Sequence, residues 1–329
     1  MRQAQAATLR DALDDFDVRL RSGHTEELRP HPVGYPLLDE VLGGGLRRGE
    51  LALVGGPPGV GKTVALLHWA RNLALRGVTA VFACYEHDTT DLLGRLLALE
   101  LGEASERRSH SSVEELRRRL QSVNGASEGV PGLFAAIPFG DEVVTTLDSY
   151  GDNLRLLPAT GAHTTVEELD AALPEGGDAV LFVDYVQKVA LHPEPATEEE
   201  KVTRNVEALK DLALRRRIPV VAVAAADRDA LRSQRVRLHH LRGSAALAYE
   251  CDVALVLNEK HASVSKVHLA YDPVRAGTFR EWIVFTLEKN RGGPSHVDLE
   301  FRKDFAHFRF DPRGGFVSDR LLDERLDLE

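Results

Sequence analysis

The chain has 329 residues, 43% hydrophobic and 28% charged, a balance that excludes a disordered or fibrous protein and supports at least one sizeable core. Acidic side chains number 51 against 41 basic ones, a formal charge of −10, so any contact with a phosphate backbone or an anionic membrane has to be a local basic patch. The two cysteines, Cys84 and Cys251, leave no disulfide framework or zinc site, and with no leader-like start and no apolar run of the ~18 residues a membrane span needs, the expectation is a cytoplasmic protein with no membrane partner.

Residues 3 to 22 place Leu9, Leu13, Phe16 and Leu20 on one stripe of a helix that Gly23 ends. Such a stripe suits a helix packed on its own domain or an arm docking on a neighbouring subunit, and spacing does not separate the two. From Glu50 a strand, Leu51 to Val54, runs into a glycine-rich turn and an apolar helix. Further strand-like runs follow at Val78 to Tyr85, Ala179 to Tyr185, Ile218 to Ala224 and Asp252 to Leu257. These runs are continuous rather than alternating, the pattern of parallel strands covered on both faces, with helices predicted between them at Asp91 to Leu101 and Thr203 to Arg216. After Lys266 the pattern changes to alternation, as in Val297 to Phe301, which an antiparallel meander extending the same sheet would give. The predicted organisation is a helical segment over 1–30, one α/β domain over 31–315 with residues 105–153 as an insertion or lid, and an acidic tail over 316–329. Within 105–153, Ser111 and Glu114 open one capped helix, and Asp319 to Glu329 reads as a solvated one.

The run Gly56-Pro57-Pro58-Gly59-Val60-Gly61-Lys62-Thr63, followed by Val64, fits the phosphate-binding loop and lies between a strand and a helix, where the chemistry requires it. Glycines let successive backbone N–H groups converge on phosphates, Lys62 supplies a point charge, and the Thr63 hydroxyl is suited to Mg²⁺. Asp184 closes an apolar strand and so offers a carboxylate at the carboxyl edge of the sheet, suited to support the metal or to cap a helix. Glu86 also ends a strand; it reads as a base that orients water on the γ-phosphate, or as part of the next helix start with Asp88 and Asp91. Lys289 and Arg291 stand one residue apart at a strand end, as a solvated pair or as cations reaching a neighbour's phosphates. Asp227 to Arg242 is the densest basic stretch; without interleaved aromatics it suits backbone phosphate contacts or a solvated loop.

Taken in order, these segments resemble the RecA-fold motor domain of the DnaB-like hexameric helicases over about Gly34 to Pro312, with KaiC-like and plasmid RepA-like relatives. Gly34-Tyr35-Pro36-Leu37-Leu38-Asp39 and Gly43-Gly44-Gly45-Leu46 look like that family's lead-in, and Asp184-Tyr185-Val186-Gln187 like its Asp-Tyr-Leu-Gln. The resemblance implies a RecA-like P-loop ATPase using ATP and Mg²⁺, with Glu86 as catalytic glutamate and Lys289 and Arg291 reaching the ATP of an adjacent subunit in a homo-oligomeric ring, expected to be hexameric. It also implies that Arg242, Gly243 and Ser244 grip single-stranded DNA and that residues 4 to 22 dock on a neighbouring protomer. Two departures stand out. Ala224-Ala225 replaces the Ser-Gln pair that couples γ-phosphate to DNA, and nothing before Gly34 matches the domain with which the replicative helicases meet primase. The acidic run Glu198-Glu199-Glu200 is a poor surface for DNA. The expected function is therefore a ring ATPase acting on single-stranded DNA, with an ATP-gated switch binding a protein partner as the alternative.

Overall fold

The computed structural model describes residues 6–23, 25–106, 118, 129–135, 137–227, 230, 232–243, 245–264, 277–319 and 321–322. Helix α1 (Leu9–Arg21) begins later than the stripe alone predicts because Thr8 caps it: the Asp11 amide donates to Thr8 Oγ1 and the Thr8 amide to the Asp11 carboxylate. It is followed by α2 (Pro36–Val41), β1 (Leu51–Gly56), α3 (Lys62–Ala74), β2 (Thr79–Cys84), α4 (Thr89–Glu106), α5 (Gly129–Phe134) and α6 (Gly140–Tyr150). Then come β3 (Leu154–Pro158), α7 (Val166–Ala172), β4 (Ala179–Asp184), α8 (Glu198–Arg216), β5 (Val220–Ala225), α9 (Ala246–Glu250) and β6 (Val253–Glu259). The chain closes with β7 (Trp282–Asn290), β8 (Val297–Asp304), β9 (Arg309–Phe310) and β10 (Gly315–Phe316).

The strands form one sheet in the order β10-β8-β7-β6-β1-β5-β4-β2-β3, with β9 paired to β8. From β6 to β3 all pairings are parallel, and β7, β8 and β10 extend the sheet antiparallel. The continuous apolar runs are the central strands, and β1 and β4 are buried at every position. One face packs Tyr35, Leu38, Trp69, Phe82 and Phe285 with α2 and α3; the other packs Leu53, Leu181, Val206 and Leu209 with α8. Burial of side chains of this size contributes ~1.5–3 kcal/mol each.

Three expectations are revised. Strand β3 went unrecognised because it is a five-residue edge strand of mixed burial, closed by Pro158, with neither a continuous nor an alternating apolar pattern. Helix α8 starts at Glu198 rather than Thr203: the Glu200 amide donates to Thr197 Oγ1, and the three glutamates occupy the first turn, where the helix dipole favours them. The acidic stretch is therefore a helix start. The segment from 316 is not wholly a solvated tail, since Phe316 pairs with Leu299 in the sheet and the buried Asp319 carboxylate meets Lys260 Nζ at 2.8 Å; residues 323–329 lie outside the described residues. In the 105–153 region, the helix expected near Ser111 and Glu114 is outside the described residues. Phe134, Ile137 and Val143, from α5, α6 and the turn between them, pack against Leu97 and Leu101 of α4.

Candidate nucleotide site

Strand β1 delivers the chain to Gly56, and α3 takes it up at Lys62, so the loop 57–61 lies at the carboxyl edge of the parallel strands. Its chemistry depends on glycine at Gly61. That residue takes φ +99, and a β-carbon there would stand 2.6 Å from Phe310 Cζ and 3.0 Å from Phe305 Cζ. Val60 is buried beneath the loop and anchors it.

A cleft of about 540 Å³ opens over this loop. It brings together Pro58, Gly59, Gly61, Lys62, Thr63 and Val64 with Glu86, Asp184 and Arg242. The register explains why: Cys84 pairs with Asp184 between β2 and β4, so the chain leaves both strands at the same level and Glu86 follows two residues later. Thr63 Oγ1 donates to Asp184 Oδ2 at 2.6 Å, linking the start of α3 to the end of β4. Lys62 Nζ donates to the carbonyls of Gly56 and Pro57, each at 2.9 Å.

Burial pushes the Asp184 carboxyl up to about 6, with the Glu86 charge adding to the rise while the Thr63 hydrogen bond and Lys62 oppose it. Burial likewise lowers Lys62 from the ordinary lysine value, against the pull of Asp184 and Glu86. The Thr63 hydroxyl and the buried Asp184 carboxylate are hard oxygens that suit Mg²⁺, and Lys62, held at the same cleft, suits phosphate oxygens.

Lys289 and Arg291 do not line this cleft among the described residues. Both hold the carboxyl end of α9: Lys289 Nζ donates to the Ala248 carbonyl at 2.7 Å, and Arg291 Nη2 to the Tyr249 carbonyl at 2.6 Å. Arg291 Nη1 also reaches Asp252 at 3.0 Å, while half of its side chain stays exposed. Arg242 is at the cleft, but its guanidinium pairs with Glu198 in the first turn of α8. Gly243 takes φ +120 and is pressed so close to Val202 that a β-carbon would lie 2.6 Å from Cγ2. Ser244 lies outside the described residues.

The basic stretch from Asp227 is less free than its sequence suggests. Arg235 is buried against Thr286 and Asp298, and Arg237 pairs with Glu288, so these two cations fasten the stretch to β7 and β8. Two features carried no assigned role in the sequence. Gln187, 7% exposed, accepts from the Ala225 amide at 3.2 Å and donates to the Arg242 carbonyl at 2.8 Å. It clamps the end of β5 to the Arg242 loop. Arg95, Phe305 and Phe308 also line the cleft; Arg95 sits nine residues beyond Glu86 on α4, and the two rings follow β8, a placement no local pattern announces.

A loop of this form between β1 and α3, at the carboxyl edge of a parallel sheet with an antiparallel extension, defines a P-loop ATPase of the RecA type. Residues 34–227 match the model of the AAA domain, and residues 152–310 that of the DnaB-like helicase C terminal domain. The chain belongs to the AAA-domain family, and its later part is similar to the DnaB-like helicase C terminal domain. It is 25% identical over 305 residues to the replicative DNA helicase DnaB of Treponema pallidum (strain Nichols), covering 91% of this chain and 59% of that protein. It is 33% identical over 165 residues to the DNA repair protein RadA of Mycobacterium tuberculosis (strain CDC 1551 / Oshkosh), covering 49% of this chain and 32% of that one. The chain thus spans less than two thirds of the length of these relatives. In fold it is similar to a DnaB-like replicative helicase solved in a study of its interactions with primase, with a TM-score of 0.66 at 17% identity over 94% of this chain and 68% of that one. A separately solved ATPase domain gives a TM-score of 0.71 at 16% identity, over 93% of this chain and 99% of that domain. No described helix is long and apolar enough to cross a membrane.

Proposed function

We propose that the chain hydrolyses ATP as part of a homo-oligomeric ring, hexameric in its complete form, and acts on single-stranded DNA. The observation that carries the ATPase reading is the Thr63–Asp184 contact, at 2.6 Å, facing the same cleft as Lys62 and Glu86. In this reading the loop amides and Lys62 bind the β- and γ-phosphates, and Thr63, backed by Asp184, holds Mg²⁺. The chemistry supplied by a bound Mg²⁺ is neutralisation of charge developing on the phosphate oxygens. Glu86 orients the attacking water and takes up its proton. Lys289 and Arg291, which do not line their own cleft and hold the end of α9, complete the site of the adjacent subunit. Support for DNA as the substrate comes from the likeness to the replicative helicase and from Arg242, which lines the cleft on a loop that Gln187 ties to the end of β5.

A second reading is favoured by two observations. The Arg242 guanidinium is neutralised by Glu198 and Ala225 stands where the family carries glutamine, which suits an ATP-gated switch that binds a protein partner. ATP hydrolysis measured with and without single-stranded DNA, at low and moderate salt and with Glu86→Gln as blank, separates the two. Stimulation that fades with salt supports the DNA motor; steady hydrolysis indifferent to DNA overturns it in favour of the switch.

A further inference from the structure

Carboxylates hold Arg235, Arg237 and Arg242 of the basic stretch, and the three pairs differ in how readily they open. Arg235 is buried on Asp298, and Arg237 rests on Glu288, whose side chain is 8% exposed. Opening either pair would strand a charge away from water. The side chains of Arg242 and Glu198 are 49% and 41% exposed, so both have water to return to and their pair holds weakly. The Arg242 main chain, in contrast, is pinned. Its amide donates to the Ala225 carbonyl at 2.8 Å, its carbonyl accepts from Gln187 Nε2 at 2.8 Å, and Gly243 is pressed on Val202. The guanidinium can therefore change partners by side-chain rotation while the loop stays where it is.

A phosphate offers a guanidinium the same planar array of oxygens that a carboxylate does, so exchanging one for the other costs Arg242 little. Glu198 is equally able to let go. It stands in the first turn of α8, where the helix dipole stabilises its charge without a cation. We infer that Glu198 is a gate on Arg242: it occupies the guanidinium until a phosphate of single-stranded DNA displaces it, and so acts as a built-in brake on DNA binding. This rests on the reading of single-stranded DNA as the substrate. It also reconciles a neutralised Arg242 with that reading, because the pair then sets how tightly DNA is held and does not exclude it.

Fluorescence anisotropy of a labelled oligothymidylate tests the gate, with the full chain titrated at moderate and low salt in the presence of Mg²⁺ and a non-hydrolysable ATP analogue. Glu198→Gln is expected to tighten binding by about three- to fivefold, the worth of an exposed ion pair. Glu200 is already paired with Arg204, so Glu199→Gln is the control: it takes an equal charge from the same turn and leaves the gate intact. At moderate salt, where solvent and ions screen a charge not in contact, it is expected to stay within about twofold of wild type. Arg242→Ala is expected to weaken binding, and adding Glu198→Gln to it should change nothing further, because the carboxylate then has no guanidinium to hold. Equal gains from Glu198→Gln and Glu199→Gln, or a gain from Glu198→Gln that survives in the Arg242→Ala chain, would assign the effect to net charge and overturn the gate. Wild-type binding that Glu198→Gln leaves unchanged overturns the gate and leaves the DNA reading standing. No binding by any of these chains, at low salt as well, overturns the DNA reading and the gate with it.

Discussion

The Thr63 hydroxyl and the Asp184 carboxylate meet at 2.6 Å across the gap between the start of α3 and the end of β4. Thr63 comes from the glycine-rich turn and Asp184 from a strand two places across the sheet from β1, with only β5 between. Their contact is fixed by the parallel registers β1–β5 and β4–β5 and not by any local feature. Asp184 is 2% exposed, so its charge is costly unless a cation joins it.

Asp184→Asn removes that charge and keeps the size of the side chain. Hydrolysis is expected to fall about 10- to 100-fold, as for the loss of an outer partner of a metal ligand. The Mg²⁺ concentration for half-maximal rate is expected to rise as well. A Mg²⁺ dependence unchanged from wild type would remove Asp184 from metal support.

Arg291→Ala is expected to leave ATP binding within a few-fold of wild type while turnover drops by about 10³, the energetics of an arginine acting from a neighbouring subunit. The substitution should not unfold the chain. Asp252 keeps Lys210 at 2.6 Å and the Leu51 amide at 2.8 Å when Arg291 is gone. Steady-state kinetics beside equilibrium nucleotide binding decides it, and normal turnover sinks the trans role.

Gln187→Ala leaves the Ala225 amide without its side-chain acceptor and frees the Arg242 carbonyl. A cost of about 1–3 kcal/mol is expected in urea unfolding, the usual penalty of an unpaired buried polar group. Because the clamp joins the cleft to the Arg242 loop, DNA stimulation of hydrolysis should be lost before basal hydrolysis is. Equal loss of both assigns Gln187 to stability alone.

Two buried groups give stability opposite dependences on pH. His68 is 1% exposed with Nδ1 2.9 Å from the Tyr35 hydroxyl, and burial pushes it down to about 3 from 6.5. Between those values the unfolded chain binds the extra proton, so stability is lost as pH falls below 6.5, by up to about 1.4 kcal/mol per unit. Asp39 is pushed up by burial to about 6 from 3.8, against the pull of the Val33 and Gly34 amides. There the folded chain binds the extra proton, so stability is lost as pH rises from 3.8 through 6. Urea midpoints from about pH 7 to about 4.5 are expected to fall more gently toward acid in His68→Phe than in wild type, and more steeply in Asp39→Asn. Identical slopes in all three chains would remove both groups from the balance.

The parallel core was legible because its strands are buried on both faces and so appear as unbroken apolar runs, and the phosphate loop because glycine and lysine spacing is itself the chemistry. Glu86, read as a strand end, lies two residues beyond the end of β2; Asp184 was legible as one. Strand β3 was not, since a short edge strand has no face to pattern. The roles of Arg235, Arg237 and Arg242 were hidden for a different reason. Their partners, Asp298, Glu288 and Glu198, lie 63, 51 and 44 residues away in sequence, so an ion pair that neutralises a basic stretch leaves no trace within it. Gln187 and Phe308 likewise acquire meaning only from what the sheet brings beside them.

Helix α1 carries an apolar stripe that its own domain does not cover. Leu9, Leu13, Phe16 and Leu20 are 77%, 58%, 44% and 48% exposed, and the helix has no buried residue. Of the two readings open to the sequence, a helix packed on its own domain is the one this geometry disfavours. Covering the stripe on an adjacent subunit would contribute about 1.5–3 kcal/mol for each large side chain buried. Leu13→Asp with Phe16→Asp is therefore expected to convert the assembly to monomer in sedimentation velocity, with the monomer's thermal midpoint little changed. Hydrolysis should fall with it, since Arg291 would then have no neighbouring site to complete. An assembly that survives both substitutions would mean that α1 is not what joins the subunits.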